Sequence, residues 1–385
     1  MDFSSLPEFL KPKLRVFLSA DLVGSSKFKN SRLTADETEK SDLSEMWIGA
    51  LNHFYRQIES QFSREWNAIK SLHEDKSSIK LGSDPELWKA NGDELIYVKV
   101  LTGSIEALVL VHCWLNTVLH VRQELRKYQG LDIKATAWTA GFPVRNREII
   151  FQENSYIKDD LKDEISSDYS SNYLLNKWYD EGRDGLIRDF VGPSIDAGFR
   201  IASLSTPRDF MISIELAYIL SSLSPVDISG GGVEEGSVGD FVFRYHQRKE
   251  LKGILGGKPY PIFSIDVLCE DETLQLEDEM SPMKKVEPAK VREFSKRFIN
   301  ENRALITRPF ILGCDQINFS EKNMPNEYKK ELEGRKELWQ NQKNKTESES
   351  KSFLDNEDAD LVSSEVVDEK EVEEFAKNSL EAGGN

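Results

Sequence analysis

The chain has few of the residues from which disulfide frameworks, zinc sites and membrane spans are built. Its 385 residues include three cysteines, scattered without a C-x-x-C spacing, and five dispersed histidines. Neither a disulfide framework nor a structural zinc site is therefore predicted. The sequence contains no run of about 18 apolar residues, and its first residues lack a basic segment followed by an apolar one. We expect a cytoplasmic protein with no membrane partner.

An excess of basic charge is also missing. The chain has 67 acidic and 50 basic residues, which gives a formal net charge of -17 at pH 7. Because nucleic acids and anionic membranes are polyanions, generic binding to either is not predicted. Hydrophobic residues make up 39% of the chain, which is enough to build a folded core.

The acidic excess is concentrated at the C-terminus. Residues 346–385 hold 13 acidic and 3 basic residues and few aromatics, which predicts a disordered acidic tail. Residues 271–345 are highly charged with helical stretches, and predict a helical extension. The sequence leaves open whether this extension packs on the core or on a second subunit. An N-terminal arm at residues 1–13 precedes the predicted main domain at residues 14–270.

Strands and helices alternate along the main domain. The apolar patterns predict strands at residues 14–22, 87–90, 95–101, 131–141, 209–214, 240–245 and 262–267. They predict amphipathic helices at residues 41–62, 105–128 and 192–204. Asn91-Gly92 is a strong hairpin signal between the second and third strands. Residues 146–185 are polar, interrupt this rhythm and are typical of an insertion.

Two aspartates stand out by their positions. Asp21 ends a predicted buried strand, and Asp93 follows the Asn91-Gly92 turn and opens the next strand. If the two strands are neighbours in one sheet, both carboxylates meet at one edge. Paired carboxylates form an oxygen-only site for Mg²⁺ or Mn²⁺. Either aspartate alone is more typical of an ordinary turn residue.

The segment after Asp21, Leu-Val-Gly-Ser-Ser, joins the first predicted strand to a helix. Such a short loop exposes successive backbone N–H groups, an arrangement that binds phosphate oxygens. A metal site and a phosphate-binding loop together are what a nucleoside triphosphate requires.

Four sequence blocks follow one another in a specific order. They are VFLSADLVGSS at residues 16–26, KANGDELIYV at 89–98, DFVGPSIDAGFRIAS at 189–203 and LKGILGGKPYPIF at 251–263. In this order they resemble the catalytic domain of class III nucleotide cyclases, over residues 14 to 267. The first and last blocks look most like the bacterial pyrimidine cyclases of antiphage defence. The resemblance implies an α+β fold, a ferredoxin-like or palm-type βαββαβ domain with a helical C-terminal extension.

The resemblance also implies roles for individual residues. Asp21 and Asp93 match the family's two metal-binding aspartates, which would hold two divalent cations, Mn²⁺ or Mg²⁺. Arg200 matches the arginine that stabilises charge on the α-phosphoryl group. Lys252 matches the lysine that reaches the terminal phosphates, and a plain surface position is the alternative for both basic residues. The β- and γ-phosphates would be held by the backbone of Leu22, Val23, Gly24, Ser25 and Ser26.

Asp196 departs from the family pattern, in which this position is a ribose-orienting asparagine. Aspartate accepts a hydrogen bond from a ribose hydroxyl but cannot donate one, and it adds negative charge near a polyanionic substrate. An inactive cyclase-like nucleotide sensor is therefore an alternative to a pyrimidine cyclase. A cytoplasmic adenylate cyclase is a further alternative, supported by the Lys89 and Asp189 pair.

Lys89 and Asp189 match the family's base-reading pair. A lysine only donates and a carboxylate only accepts, which fits adenine or cytosine directly, whereas uracil or guanine requires the two side chains to exchange partners. The pair does not separate purines from pyrimidines. The resemblance favours UTP, then CTP. An aromatic side chain on the first helix, Trp47, Phe54 or Tyr55, would have to shorten the pocket, and core packing is the alternative for all three.

The chain carries only one set of these motifs. In this family the site lies between two cyclase domains, so the resemblance implies a head-to-tail homodimer with two sites. Asp21 and Asp93 would then face Lys89, Asp189 and Arg200 of the second subunit. No effector domain is recognisable, so a separate protein is expected to read the cyclic nucleotide.

Overall fold

The computed structural model describes residues 3–33, 40–74, 81–128, 130–152, 167–180, 186–227, 237–268, 271–280 and 285–345. The predicted acidic tail at residues 346–385 and parts of the predicted insertion lie outside these ranges. The domain boundaries given above stay predictions.

The described residues form strands and helices in alternation. The strands are β1 Lys13–Val23, β2 Glu86–Asn91, β3 Glu94–Val100, β4 Asp132–Phe142, β5 Arg147–Gln152, β6 Leu186–Val191, β7 Asp209–Ile212, β8 Val226–Asp227, β9 Ser237–Val238, β10 Phe243–Lys249, β11 Tyr260–Asp266 and β12 Lys285–Val286. The helices are α1 Ser25–Leu33, α2 Lys40–Glu74, α3 Ser104–Leu125, α4 Ser167–Asp180, α5 Pro193–Ala202, α6 Ile214–Ser221, α7 Glu272–Met280, α8 Pro288–Glu301 and α9 at residues 326–345.

One eight-stranded sheet organises the molecule, with the strand order β12-β10-β11-β7-β4-β1-β3-β2. Neighbouring strands are antiparallel except β4 and β7, which are parallel. The stretch β4-β1-β3-β2 has α1 and α2 between β1 and β2, and α3 between β3 and β4. This is the ferredoxin-like βαββαβ arrangement. The predicted α+β fold class is confirmed.

The strand predicted at residues 209–214 exists, but its predicted C-terminal bound is wrong. β7 stops at Ile212, and α6 begins at Ile214. The hydroxyl of Ser213 accepts a hydrogen bond from the Leu216 backbone N–H at 3.3 Å, so Ser213 caps the helix. The apolar run that follows reads equally well as a strand or as a buried helix, and the cap decides between them.

The main core lies on one face of the sheet, beneath α2, α3, α6 and α8. Along β1, Leu18 and Ala20 face this core, whereas Phe17 packs into a smaller aromatic cluster on the opposite face. By length and composition α3 is apolar enough to cross a membrane, and 72% of its most apolar stretch is buried within the protein. Burial in a core explains the same composition.

The C-terminal extension packs on the rest of the chain. Val291, Phe298 and Ile299 of α8 join the main core. Leu332 and Trp339 of α9 belong to a second apolar cluster, which also contains residues of the N-terminal arm, α4, β5 and β6. These contacts pack the extension on its own chain.

A buried ion cluster fastens the two-stranded β5–β6 sheet to β1. An Nη atom of Arg15 lies 2.8 Å from Glu148 Oε1, and both side chains are almost fully buried. The Tyr179 hydroxyl donates to Glu148 Oε2 at 2.9 Å. Burial raises the pKa of Glu148, but Arg15, Lys13 and Arg188 together hold it below its ordinary value. The ionised cluster therefore fixes the strand that carries Asp189.

We expect Glu148→Ala to lower the free energy of unfolding by about 3–5 kcal/mol, because it leaves a buried guanidinium without its counter-charge. Urea unfolding followed by circular dichroism measures the change. Glu301→Ala is the control, since it removes the exposed Arg297–Glu301 pair and should cost less than about 1 kcal/mol. Equal losses in the two variants would contradict the assigned role of Glu148.

Candidate active site

The strand register brings charged side chains into one row at an end of the sheet. Asp21 of β1 lies opposite Glu94 of β3 on one side and Lys134 of β4 on the other. Side chains alternate along a strand, so Asp21 faces the same side as Phe17, away from the main core. Lys134 Nζ lies 3.0 Å from Asp21 Oδ2.

Asp93 lies in the β2–β3 turn, beside the end of β1. Gly92 has a φ of 69°, which glycine adopts at little cost and which lets the chain reverse. The Asp93 carbonyl oxygen accepts a hydrogen bond from the Leu22 N–H at 3.1 Å. The Asp93 carboxylate accepts a hydrogen bond from the Ser25 hydroxyl. These bonds fix Asp93 at the junction of β1 and α1.

Asp21 and Asp93 repel each other. Burial raises the pKa of Asp21 above its ordinary value, Lys134 opposes that rise, and Asp93 adds to it. Burial and Asp21 likewise raise the pKa of Glu94. A divalent cation would relieve this repulsion, and carboxylate oxygens are the donors that Mg²⁺ and Mn²⁺ prefer. The two aspartates therefore fit the predicted metal-binding role.

Within the described ranges, no group of three or more His, Cys, Asp or Glu side chains is arranged to hold a metal ion. Asp21 and Asp93 would thus bind a cation together with oxygen atoms of a substrate or of water. Such a site is expected to fill most strongly when a phosphorylated ligand is present, since triphosphate oxygens complete the shell.

The phosphate-binding loop predicted at residues 22–26 divides into two parts. Leu22 and Val23 belong to β1, and the Leu22 N–H is already used by Asp93. Gly24 has a φ of 84° and turns the chain into α1, whose first hydrogen bond runs from the Phe28 N–H to the Gly24 carbonyl at 2.9 Å. Ser25 and Ser26 therefore lie in the first helical turn, where backbone N–H groups lack helical partners and favour anions.

Gly24 is required for a second reason. A Cβ atom at this position would collide with the carbonyl oxygen of Gly130, which precedes β4. Only glycine permits this close approach of the β1–α1 junction to the chain entering β4.

Lys89 of β2 and Asp189 of β6 come together as an ion pair. Lys89 Nζ lies 2.8 Å from Asp189 Oδ1 and 3.0 Å from Asp189 Oδ2. Both side chains keep part of their surface exposed, 40% for Lys89 and 27% for Asp189. The Trp88 indole N–H also donates to Asp189 Oδ1, at 3.2 Å, a contact that the sequence did not predict.

Asp196 and Arg200 lie one turn apart on the exposed face of α5. The opposite face of α5 is tightly packed, because a Cβ atom on Gly198 would collide with the Trp138 ring. Phe199 contacts the rings of Trp88 and Trp138, with centroids 6.1 and 5.7 Å away. In the part of the chain that the structure describes, neither Asp196 nor Arg200 has an ion-pair partner.

Lys252 is exposed in the loop between β10 and β11. In the sheet, β7 and β4 separate β11 from β1, so one chain does not bring Lys252 beside Asp21 through strand pairing. Its predicted contact with the terminal phosphates stays a prediction.

The three aromatic side chains considered for shortening the base pocket have different surroundings. Phe54 is completely buried in the main core, which favours the core-packing interpretation for this residue. Trp47 lies near Lys29, whose Nζ is 5.7 Å from the ring centroid. The Tyr55 hydroxyl donates to the Gly92 carbonyl, and burial and Asp93 raise the pKa of Tyr55. Tyr55 is thus the member of this set that reaches the β2–β3 turn.

A small cleft of about 170 Å³ opens beside the row of charged side chains. It is lined by Ser19, Asp21, Glu94, Lys134, Phe199, Ala202, Ser203 and Ser205. The end of α5 therefore borders the row of charged side chains of the same chain. Glu94 and Lys134 were not among the residues predicted from the sequence.

No family model and no curated protein matches the sequence. Among solved structures, the adenylyl cyclase CyaB from P. aeruginosa is similar at 13% identity and a TM-score of 0.36, over 66% of this chain and 94% of that chain. The guanylyl cyclase Cya2 is similar at 13% identity and a TM-score of 0.33, over 66% and 92%. An adenylate/guanylate cyclase/hydrolase from Silicibacter pomeroyi is similar at 14% identity and a TM-score of 0.32, over 66% and 97%. At these values the similarity assigns no function to this chain.

Proposed function

We propose that the protein is a nucleotide cyclase, which converts a nucleoside triphosphate to its 3′,5′-cyclic monophosphate and pyrophosphate. The observation that carries this proposal is the meeting of Asp21, Asp93 and the first turn of α1 at one end of the sheet. Two repelling carboxylates suit divalent cations, and a helix N-terminus beside them suits phosphate oxygens. Together they suit a metal–triphosphate substrate. The four ordered sequence blocks support the same reaction.

In this reaction the ribose 3′-oxygen bonds to the α-phosphorus, and the bond from that phosphorus to the oxygen bridging to the β-phosphate breaks. The 3′-hydroxyl loses its proton and pyrophosphate leaves. Two cations, Mn²⁺ or Mg²⁺, held by Asp21 and Asp93, would make the hydroxyl more acidic and neutralise the triphosphate. The N–H groups of Ser25 and Ser26 would orient the terminal phosphates. Arg200 would stabilise the charge that develops on the α-phosphoryl oxygens.

We propose that two chains form a head-to-tail homodimer with two shared sites. The surface around Asp189 supports this. Ile187 and Val191 flank Asp189 on one face of β6, and Phe151 lies opposite Ile187 on β5; the three apolar side chains are 53%, 39% and 53% exposed, respectively. Arg200 has no ion-pair partner among the described residues. Apolar side chains around a charged pair, with such an arginine nearby, are typical of a surface that a second subunit covers.

For the substrate we propose a pyrimidine nucleoside triphosphate, UTP ahead of CTP, and a cytoplasmic role in antiphage signalling through a separate effector. The amino-acid sequences of the first and last blocks support this choice, because they resemble the bacterial pyrimidine cyclases of antiphage defence. The Lys89–Asp189 pair is compatible with it, and its direct match to adenine makes ATP the alternative.

Release of pyrophosphate tests the reaction class. The purified protein is incubated with Mn²⁺ and each of ATP, GTP, CTP and UTP, and pyrophosphate and orthophosphate are measured separately. A cyclase releases one pyrophosphate for each nucleotide consumed and no orthophosphate. Orthophosphate without pyrophosphate would mean hydrolysis of the terminal phosphate and would contradict the proposal.

A nucleotide sensor without catalysis is the second candidate, because Asp196 adds a carboxylate one turn from Arg200. Asp196→Asn separates the two functions. In an inactive sensor it should create pyrophosphate release, whereas in an active enzyme the rate should stay similar or fall. Asp240→Asn changes an exposed aspartate outside the site and is the matched control. The sensor would be favoured if the wild type and Asp240→Asn released no pyrophosphate and Asp196→Asn did.

A further inference from the structure

The β2–β3 pairing contains an extra residue beside the base-reading pair. Leu87 pairs with Tyr97 and Lys89 with Ile96, so Trp88 is the residue inserted between them. In a regular strand Trp88 and Lys89 would point to opposite faces. A bulge re-aims a side chain, and here two consecutive residues both reach Asp189.

The two oxygens of the Asp189 carboxylate have different partners. Oδ1 accepts hydrogen bonds from the Phe190 N–H at 2.8 Å and from the Trp88 indole N–H at 3.2 Å, and it lies 2.8 Å from Lys89 Nζ. Within the described residues, Oδ2 accepts from Lys89 Nζ alone, at 3.0 Å. A carboxylate oxygen has about two lone pairs, so Oδ1 is saturated. Only Oδ2 can accept a hydrogen bond from a ligand.

Trp88 is itself held in place. Its ring packs edge-on against the rings of Phe17 and Phe190, each with centroids 5.2 Å apart. Phe17 is completely buried. Lys89 Nζ lies 4.6 Å from the centroid of the Trp88 ring, a favourable cation–π position. The indole therefore fixes the orientation of both Asp189 and Lys89.

From this geometry we propose that Trp88 is a positioning residue that determines base selectivity. Its N–H group, together with the Phe190 N–H and Lys89 Nζ, occupies Asp189 Oδ1. The pair therefore presents one acceptor, Oδ2, beside one donor, Lys89 Nζ, in a fixed order. A base edge with an amino group beside a ring nitrogen, as in cytosine and adenine, requires one order. An edge with a ring N–H beside a carbonyl, as in uracil and guanine, requires the reverse. The inference rests on the proposed function, in which this pair reads the base.

Trp88→Phe tests the inference, because phenylalanine keeps the aromatic packing and removes only the N–H donor. The kcat/KM values for ATP, GTP, CTP and UTP are measured for the wild type and the variant. With one of its three contacts removed, Oδ1 is held less firmly and the carboxylate can turn more easily. The preference between amino-bearing bases and carbonyl-bearing bases should then fall about tenfold, the value of one hydrogen bond. The fall in base preference should come from changes in KM, with kcat for the preferred nucleotide changed less than about threefold.

Trp138→Phe is the matched control. Trp138 stacks on Phe17 at 5.4 Å in the same aromatic cluster, and its indole N–H has no hydrogen-bond partner among the described residues. This variant should leave the base preference unchanged. An unchanged preference in Trp88→Phe would overturn the inference. An equal fall in both variants would also overturn it, since the effect would then come from general loosening of the cluster.

Binding separates this inference from the proposed function. Calorimetry with Mn²⁺ and 3′-deoxynucleoside triphosphates, which lack the reacting hydroxyl, gives dissociation constants without turnover. If the wild type binds the bases selectively and Trp88→Phe binds them less selectively, the inference is supported even if the protein forms no cyclic product. Wild-type binding that does not distinguish amino-bearing from carbonyl-bearing bases, or no binding at all, would overturn it.

Discussion

Asp93→Ala is expected to lower the rate of cyclic nucleotide formation by at least about a thousandfold, because losing the proposed metal ligand removes several kcal/mol of transition-state stabilisation. The fold should survive, since Asp93 lies in a partly exposed turn. The Asp93 carboxylate accepts a hydrogen bond from the Ser25 hydroxyl. The substitution therefore also removes a hydrogen-bond partner from the first turn of α1. Initial rates at saturating Mn²⁺, with circular dichroism to check folding, measure the effect.

Asp21→Ala is expected to give a loss of the same size, since both carboxylates are proposed to hold the same cations. Asp240→Ala removes an exposed aspartate elsewhere and should keep the wild-type rate. Wild-type activity in either Asp21→Ala or Asp93→Ala would rule out the two-carboxylate metal site.

Two inactive variants are expected to restore activity to each other when their subunits are combined. Arg200→Ala alone should lower kcat by about 10²–10³-fold, because a preorganised charge at the α-phosphoryl group is lost. If Arg200 serves the site of the second subunit, a mixed dimer with Asp93→Ala has one intact site and one doubly defective site. One of the two sites of each mixed dimer is intact, so isolated mixed dimers are expected to have about half of wild-type activity.

The design contains its own control. Asp93→Ala combined with Asp21→Ala should restore nothing, because both residues belong to the same side of the site. The two chains are co-expressed with different affinity tags, and dimers carrying both tags are isolated and assayed for pyrophosphate release. Restoration in the control pair, or none with Arg200→Ala, would contradict a site shared between subunits.

The local part of the fold could be predicted from the sequence. β1, the Asn91-Gly92 hairpin and α5 each have a pattern confined to a few residues, such as a buried apolar run or a turn residue with positive φ. Those patterns also place Asp21 and Asp93 at the ends of two strands. Their meeting depended only on β1 and β3 being neighbours, which a βαββαβ order implies.

The remaining features depend on contacts between distant parts of the chain. Lys134 reaches Asp21 through the register of β1 against β4, which no local pattern encodes. Arg15 and Glu148 are 133 positions apart. Glu148 also lies within residues 146–185, whose polar composition predicted an insertion. Trp88 reaches Asp189 only because of a bulge, and a single extra residue in a strand leaves no signal in hydrophobic alternation.

The identity of the product tests the central claim most directly. The purified wild-type protein is incubated with Mn²⁺ and an equimolar mixture of ATP, GTP, CTP and UTP, and the products are separated and identified by mass against 3′,5′-cyclic standards. The proposed function predicts cyclic UMP as the main product, formed in equal amount with pyrophosphate. Cyclic AMP as the main product would keep the cyclase and replace the pyrimidine substrate. No cyclic nucleotide from any of the four, with nucleotides either intact or hydrolysed, would contradict the central claim.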